Sequence, residues 1–217
     1  MASEVNRRSY DNEQRRATSQ RTRARILDEA RALLVDQGYR ATTVAAIARA
    51  AGVSVDTVYE LVGRKPVIVR LLIETAISGT DGAVSPEDRD YVQRIHQMPT
   101  AAQKLSEYAA AMAQIQVRMA PLVLALRDAA ATDASARDIW VEFSERRARN
   151  MRALAEELRN TGDLRADLGD DEMADIIWAM NSPELYLLLT RERRWSPEQY
   201  SGWLADAWQR QLLHRPV

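Results

Sequence analysis

The sequence predicts an all-α protein, with an N-terminal three-helix domain built round a helix-turn-helix and a C-terminal helical bundle behind it. Three observations predict this. Apolar residues recur at helical spacing through most of the chain, no stretch alternates with period two, and glycine and proline fall where one stripe gives way to the next. At 217 residues and 46% hydrophobic, the chain has material for a core in one domain or two small ones.

Residues 1–19 are polar and Arg-rich and read as a flexible arm. Ile26, Leu27, Ala30, Leu33 and Leu34 then form one stripe, and Gly38 follows as a stop signal; this is the first helix. Thr42 or Thr43 can cap a second helix, in which Val44, Ile47, Ala48 and Ala51 share a face before Gly52 breaks it. Ser54 caps a third, short helix running to Leu61, with Val58 and Leu61 inward and Val55, Asp56, Thr57 and Glu60 outward. Two short helices joined by a Gly-containing turn, over about residues 43–61, are the mark of a helix-turn-helix. Pro66, at a first-turn position, opens a fourth helix with Val67, Ile68, Leu71 and Leu72 on one side.

The domain boundaries expected are therefore 1–19 for the arm, 20–66 for the helix-turn-helix domain and 67–217 for the bundle. Gly79, Asp81-Gly82 and Ser85-Pro86 are turn signals after the fourth helix. Stripes follow at about 100–119, at 121–131 behind Pro121, at 135–159, at 170–192 with an interruption at Ser182-Pro183, and at 197–213.

Composition excludes several classes. There is no cysteine, which removes disulfides, thiolate zinc sites and a Cys nucleophile. The N-terminus lacks an apolar signal region, and no later segment approaches 18 uncharged apolar residues, so a cytoplasmic protein with no membrane partner is expected. Charge is unevenly placed. Residues 1–75 hold 13 Lys or Arg against 9 Asp or Glu, while the remainder holds 17 against 22. A basic front and acidic back suit a DNA-facing module attached to one that is not.

These residues resemble the tetracycline-repressor (TetR) family of transcriptional regulators. The resemblance is carried by RTRARILDEARALLVDQGYRATTVAAIARAAGVSVDTVYELVGRKPVIVRLL: Gly38-Tyr39, Ala41-Thr42-Thr43, Ile47-Ala48, Ala51-Gly52-Val53-Ser54, Val58-Tyr59 and Lys65. Asn181 to Tyr186, and Trp195 to Glu198 running on through Trp203 to Asp206, are also similar to the end of many such regulators. Val62 stands where the family usually has Phe; it buries less area beneath the fourth helix.

In a helix-turn-helix the second helix lies in the major groove, while phosphate contacts around it fix the register. Thr43 at a helix N-terminus, Ser54, Tyr59 with its hydroxyl and Lys65 suit phosphates, and by resemblance are the family's backbone contacts; Thr43 and Ser54 read equally as plain caps. Val55, Asp56 and Thr57 lie on the first exposed turn of the reading helix. Val55 or Thr57 can pack on a thymine methyl and Asp56 can accept from cytosine N4, although Asp56 also simply complements the helix dipole. Arg21, Arg23 and Arg25, with Arg7, Arg8, Arg15 and Arg16 further out, could touch phosphates or a minor groove, or be solvated.

In the bundle, the resemblance implies that the last two helices form a homodimer interface, with Tyr186, Leu189, Trp203, Leu204 and Trp208 as candidates. It also implies a cavity for a small-molecule effector. Met112, Met119, Trp140, Phe143, Trp178 and Met180 are apolar candidates for lining it, and Arg118, Arg127 and Asn181 polar ones; each could equally be core.

No enzyme is indicated. His96, in an expected loop, and His214 stand apart from any ligand spacing, and Asp163, Asp167, Asp170, Asp171 and Glu172 read as a turn and a helix start rather than a metal site. No cofactor is implied. The expected function is that of a transcriptional regulator, a repressor holding palindromic operator DNA as a homodimer and released by an effector. The alternatives are an activator, a regulator without an effector, or a helical interaction adaptor.

Overall fold

The structure, a computed structural model, describes residues 2–80 and 84–214, with side chains from residue 14 onward. Its elements in order are α1 (Ala2–Ala41), α2 (Val44–Ala50), α3 (Val55–Leu61), α4 (Lys65–Ser78), a 3-10 turn (Pro86–Asp88), α5 (Asp90–Gln97), α6 (Ala101–Ala130), α7 (Ala134–Arg159), α8 (Asp170–Met180), α9 (Pro183–Leu187), a π turn (Leu188–Glu192) and α10 (Pro197–Leu212). The fold is all-α, with no strand among the described residues; Leu164 and Leu213 form an isolated antiparallel bridge. Two compact units divide the chain, Met1–Leu72 and Ile73–Val217, and the division falls inside α4 rather than at Pro66.

In the first unit, α1, α2 and α3 pack on one another. Their shared core is Ile26, Leu27, Ala30 and Leu34 from α1, Ile47 and Ala48 from α2, and Val58 from α3, joined by Tyr39 and Ala51. These are the stripe positions of each helix, so binary patterning settles which face goes in. Gly38, at φ 77°, leaves helical geometry inside α1, and Thr42 then bonds back to its carbonyl through both backbone N–H and hydroxyl. The arm expected over residues 1–19 is drawn, from Ala2, as the first turns of α1; Ala, Gln, Glu and Arg there are all good helix formers. The side chains of Arg7 and Arg8 lie outside the described residues, as does the Asp81-Gly82 turn.

In the second unit α6 is the central helix, packed by α5, α7, α9 and α10, with α8 against α7. Its length and apolar composition would suffice to cross a membrane, yet Leu105, Ala109, Ala113, Ala120, Val123 and Leu126 are buried inside the bundle. Pro121 does not break it, contrary to the sequence reading. Proline removes the bond to the carbonyl of residue 117, and Val117 is 49% exposed, so water can satisfy that carbonyl while buried residues on both sides hold the helix together. Helix α5 is an addition to the reading: the segment containing His96 is helical, anchored by buried Ile95, and His96 sits in its last turn paired with Glu157. At the interruption foreseen near residue 182, Ser182 accepts from Leu185 N–H and Pro183 takes the first turn of α9.

Candidate nucleic-acid interface and effector cavity

The turn between α2 and α3 is fixed by one glycine. Val53 N–H bonds to the Ala48 carbonyl and Gly52 N–H to the Arg49 carbonyl, with Gly52 left-handed at φ 64°. This is the Schellman arrangement, which ends α2 and swings the chain into α3. Ser54 then caps α3 by accepting from Thr57 N–H at 3.0 Å, and Thr43 caps α2 by accepting from Ala46 N–H at 3.0 Å. Each cap satisfies an otherwise orphaned donor, worth about 1 kcal/mol.

The outward face of α3 carries Val55, Asp56, Tyr59 and Glu60, all exposed, with Tyr59 at 47%. Thr57 is half-buried, and its hydroxyl lies 2.8 Å from that of Ser54, so the two act as a unit. Asp56 stands in the first turn of α3, where a carboxylate meets the positive helix end. At the start of α4 the Lys65 ammonium lies 3.8 Å from the centroid of the buried Tyr39 ring, which orients the lysine as a cation resting on an aromatic face. Val62 closes α3, its N–H bonding to the Val58 carbonyl. Arg21 and Arg25 are exposed on α1 and Arg23 is half-buried.

In the second unit the expected interface residues divide. Tyr186, Leu204 and Trp208 are buried within the protomer; Tyr186 packs edge-on to Tyr200 at 4.9 Å and Trp208 stacks on Tyr108 at 5.5 Å, so they are core and not a face for another subunit. Leu189 and Trp203 keep partly open surface, and Leu188, which the sequence places in the same apolar run, is 47% exposed.

The expected cavity residues divide too. Met112, Met119, Phe143 and Asn181 line a small interior cavity together with Arg89, Tyr91, Tyr108, Arg146, Arg147, Asn150 and Met151. Arg118 lines an adjoining cleft and donates to the Ala76 carbonyl. Arg127 is ion-paired with Glu184 at the surface, Trp140 packs on Phe143, and Trp178 lies beneath the Arg147 guanidinium at 4.6 Å; neither these three nor Met180 line the interior cavity or the clefts that adjoin it.

The floor of the interior cavity is a buried polar chain. Gln116 donates to the backbone and side-chain oxygens of Asn181, Asn181 donates to the Tyr108 hydroxyl at 3.1 Å, and that hydroxyl donates to the Met151 sulfur. Burial pushes the Tyr108 phenol far above its ordinary range, with Tyr91 adding to the effect, so it stays a neutral donor. Burial also lowers the Arg147 guanidinium from its ordinary value. Sequence reasoning missed Arg89, Tyr91, Tyr108 and Arg147. A signal existed for Arg147: Phe143, Arg147, Met151 and Leu154 fall on one face of α7, which places a cation inside an apolar stripe.

The chain matches the family model described as bacterial regulatory proteins, tetR family, over residues 26–61, which spans the end of α1 through α3. Solved structures similar to it include a transcriptional regulator from Saccharomonospora viridis in complex with choline, at 20% identity over 89% of this chain and 98% of that one with a TM-score of 0.65. The MbdR regulator from Azoarcus sp. CIB is similar at 25% identity over 86% of this chain and 96% of its own, TM-score 0.64. NalD of Pseudomonas aeruginosa, described as the secondary repressor of the MexAB-OprM multidrug efflux pump, is similar at 19% identity over 92% and 100%, TM-score 0.69. No curated protein matches the chain.

Proposed function

We propose that this chain, whose residues 26–61 match the model of bacterial regulatory proteins of the tetR family, is a cytoplasmic repressor that grips palindromic operator DNA as a homodimer and lets go when a small molecule enters its second unit. One observation carries the DNA half of this reading: α3 follows a Gly52 turn, is capped by Ser54, and offers Val55, Asp56 and Tyr59 to solvent on one face. A helix so placed fits a major groove, with base edges met by its first turn and phosphates by the groups around it. In that scheme Thr43, Ser54, Tyr59 and Lys65 set the register, Arg21, Arg23 and Arg25 add phosphate attraction, and Val55 and Thr57 read sequence. Asp56 serves chiefly the helix dipole, because a carboxylate near phosphate oxygens is otherwise unfavourable.

Exposed Leu188 beside half-open Leu189, Trp195 and Trp203 supports a second copy packing at the C-terminal end of the chain. The interior cavity, together with a solved neighbour that holds choline and another described as a repressor, supports effector release. The test is a gel shift on the promoter DNA beside the protein's own gene across a salt series. A sequence-specific shift that weakens steeply with salt, to a site with two-fold symmetry and half-sites spaced by whole helical turns, is the expected result. Absence of any specific shift, with the protein folded, overturns the reading.

A further inference from the structure

The interior cavity of the second unit has an unbalanced charge. Three guanidinium groups line it, Arg89, Arg146 and Arg147, and no Asp or Glu does. Glu74 partly compensates from outside, in direct ion-pair contact with Arg146 and 3.9 Å from Arg89. Arg147 has no carboxylate within ion-pair distance among the described residues; it donates to the Trp178 carbonyl and leans on the Trp178 ring. Arg89 is only 7% exposed, and its Nε is buried with no acceptor. A buried cation without a counterion is costly, and a hydrogen-bonded anion removes that cost.

We propose that this cavity binds a small organic acid, its carboxylate held by Arg147 and Arg89 and its apolar body running outward past Tyr91 and Tyr108. The proposal rests on the reading of the second unit as the effector-binding half. Size sets the orientation. The interior cavity measures about 50 Å³, room for a carboxylate and little more, whereas the adjoining cavity, which shares Arg89, Tyr91, Tyr108, Asn150 and Met151 with it, measures about 530 Å³ and adds the apolar Val92, Ile95 and Leu154, with Glu157, half-buried and paired with Lys104, and the exposed Glu87, His96 and Glu156 also on its wall. A planar carboxylate matches the fork of a guanidinium, and the aromatic and thioether lining favours an apolar body over a second charged group. A cation would meet three guanidiniums. The cleft on the other side is a poorer candidate, because Asp88, Asp90 and Glu107 there balance Arg89, Arg94 and Arg118.

The test uses the purified full-length protein without DNA, titrated by calorimetry with benzoate, 3-phenylpropanoate and hexanoate, and with the neutral 3-phenylpropanamide and cationic 3-phenylpropylamine as controls. At least one acid should bind at millimolar or lower concentration and quench tryptophan fluorescence through Trp178, with the matched amide at least about 10-fold weaker and the amine silent. Arg147→Gln should weaken the acid by about 10- to 100-fold and leave the amide unchanged, and Arg147→Lys should recover part of the loss. Arg89→Gln is the second variant should Arg147→Gln not melt cooperatively. Binding of none of the acids, equal binding of acid and amide, or an acid affinity indifferent to the folded arginine variants would overturn the proposal. Acid binding that fails to release operator DNA would remove the effector role and leave the site standing, and a failed gel shift would leave this titration intact.

Discussion

Replacing Gly52 by Ala isolates a single physical effect, because a Cβ built there meets nothing within 4 Å. No clash contributes, and what remains is the backbone at φ 64°. An L-residue in that region is penalised by about 1–2 kcal/mol, and restricting the unfolded chain returns about 0.4–1 kcal/mol, so the net loss is about 1 kcal/mol. Gly52→Asn should lose less, since Asn tolerates the left-handed region, and Gly52→Val more than about 2 kcal/mol because of its branch at Cβ. With a urea dependence of about 2 kcal/mol per molar, the Ala variant should lower the midpoint by about 0.5 M at fixed protein concentration. The same substitution at Gly202, inside α10 and also free of contacts within 4 Å, should raise stability by about 0.5–1 kcal/mol, because there a helical φ is already required. An unchanged midpoint for Gly52→Ala, or an order other than Asn, Ala, Val, would refute the account of the turn.

Tyr59→Phe should weaken operator and unrelated DNA alike, by about 3- to 10-fold, in the gel shift; a selective loss on the operator would move Tyr59 to base reading. Thr57→Ala should change base preference at one operator position by about 1–3 kcal/mol in a binding-site selection, and an unaltered preference would remove Thr57 from readout. Leu188→Glu and Trp203→Glu should increase the monomer fraction in sedimentation with the helical circular dichroism unchanged, and a dimer indifferent to both would place the interface elsewhere. Burial raises the phenol pKa of Tyr108 and of Tyr200 well above its ordinary value. Their stabilisation is therefore complete below the unfolded value of about 10 and is lost as pH rises past it, because only the unfolded chain then ionises. The urea midpoint should fall above pH 10, and the Tyr108→Phe, Tyr200→Phe double variant should flatten that fall.

The features legible in the sequence were those that act locally. Gly52, Ser54, Thr43 and Pro183 announce themselves, since a left-handed glycine, a cap or a first-turn proline does its work within four residues. Pro121 misled for the same reason: locally it signals a break, and only the burial of Ala120, Leu122 and Val123 around it, a tertiary fact, keeps α6 whole. Helix α5, eight residues long, offers too short a stripe to stand out from loop. The interface candidates show a second limit. Periodicity places Tyr200, Leu204 and Trp208 on one face of α10 but cannot say what covers that face, and here Tyr108 and Tyr186 of the same protomer do.

Charge shows that limit most sharply. By count the back of the chain is acidic, with 17 basic against 22 acidic residues beyond position 75, and a sum of that kind argues against any anionic partner. The sum weights every charge equally, whereas water does not. Asp171 and Glu145, paired on the surface with Arg152 and Arg149, are screened to small effect. Arg147 and Arg89, withdrawn from water beside Tyr108 and Phe143, act through a medium that screens far less. Buried Arg89 with half-buried Arg146 and Arg147, against the one carboxylate of Glu74, therefore sets the sign of the cavity, whatever the sign of the surface. An argument from composition about what this unit binds has to begin from which arginines the bundle removes from solvent, and that depends on α5 and α7 meeting α6, which no window of sequence contains.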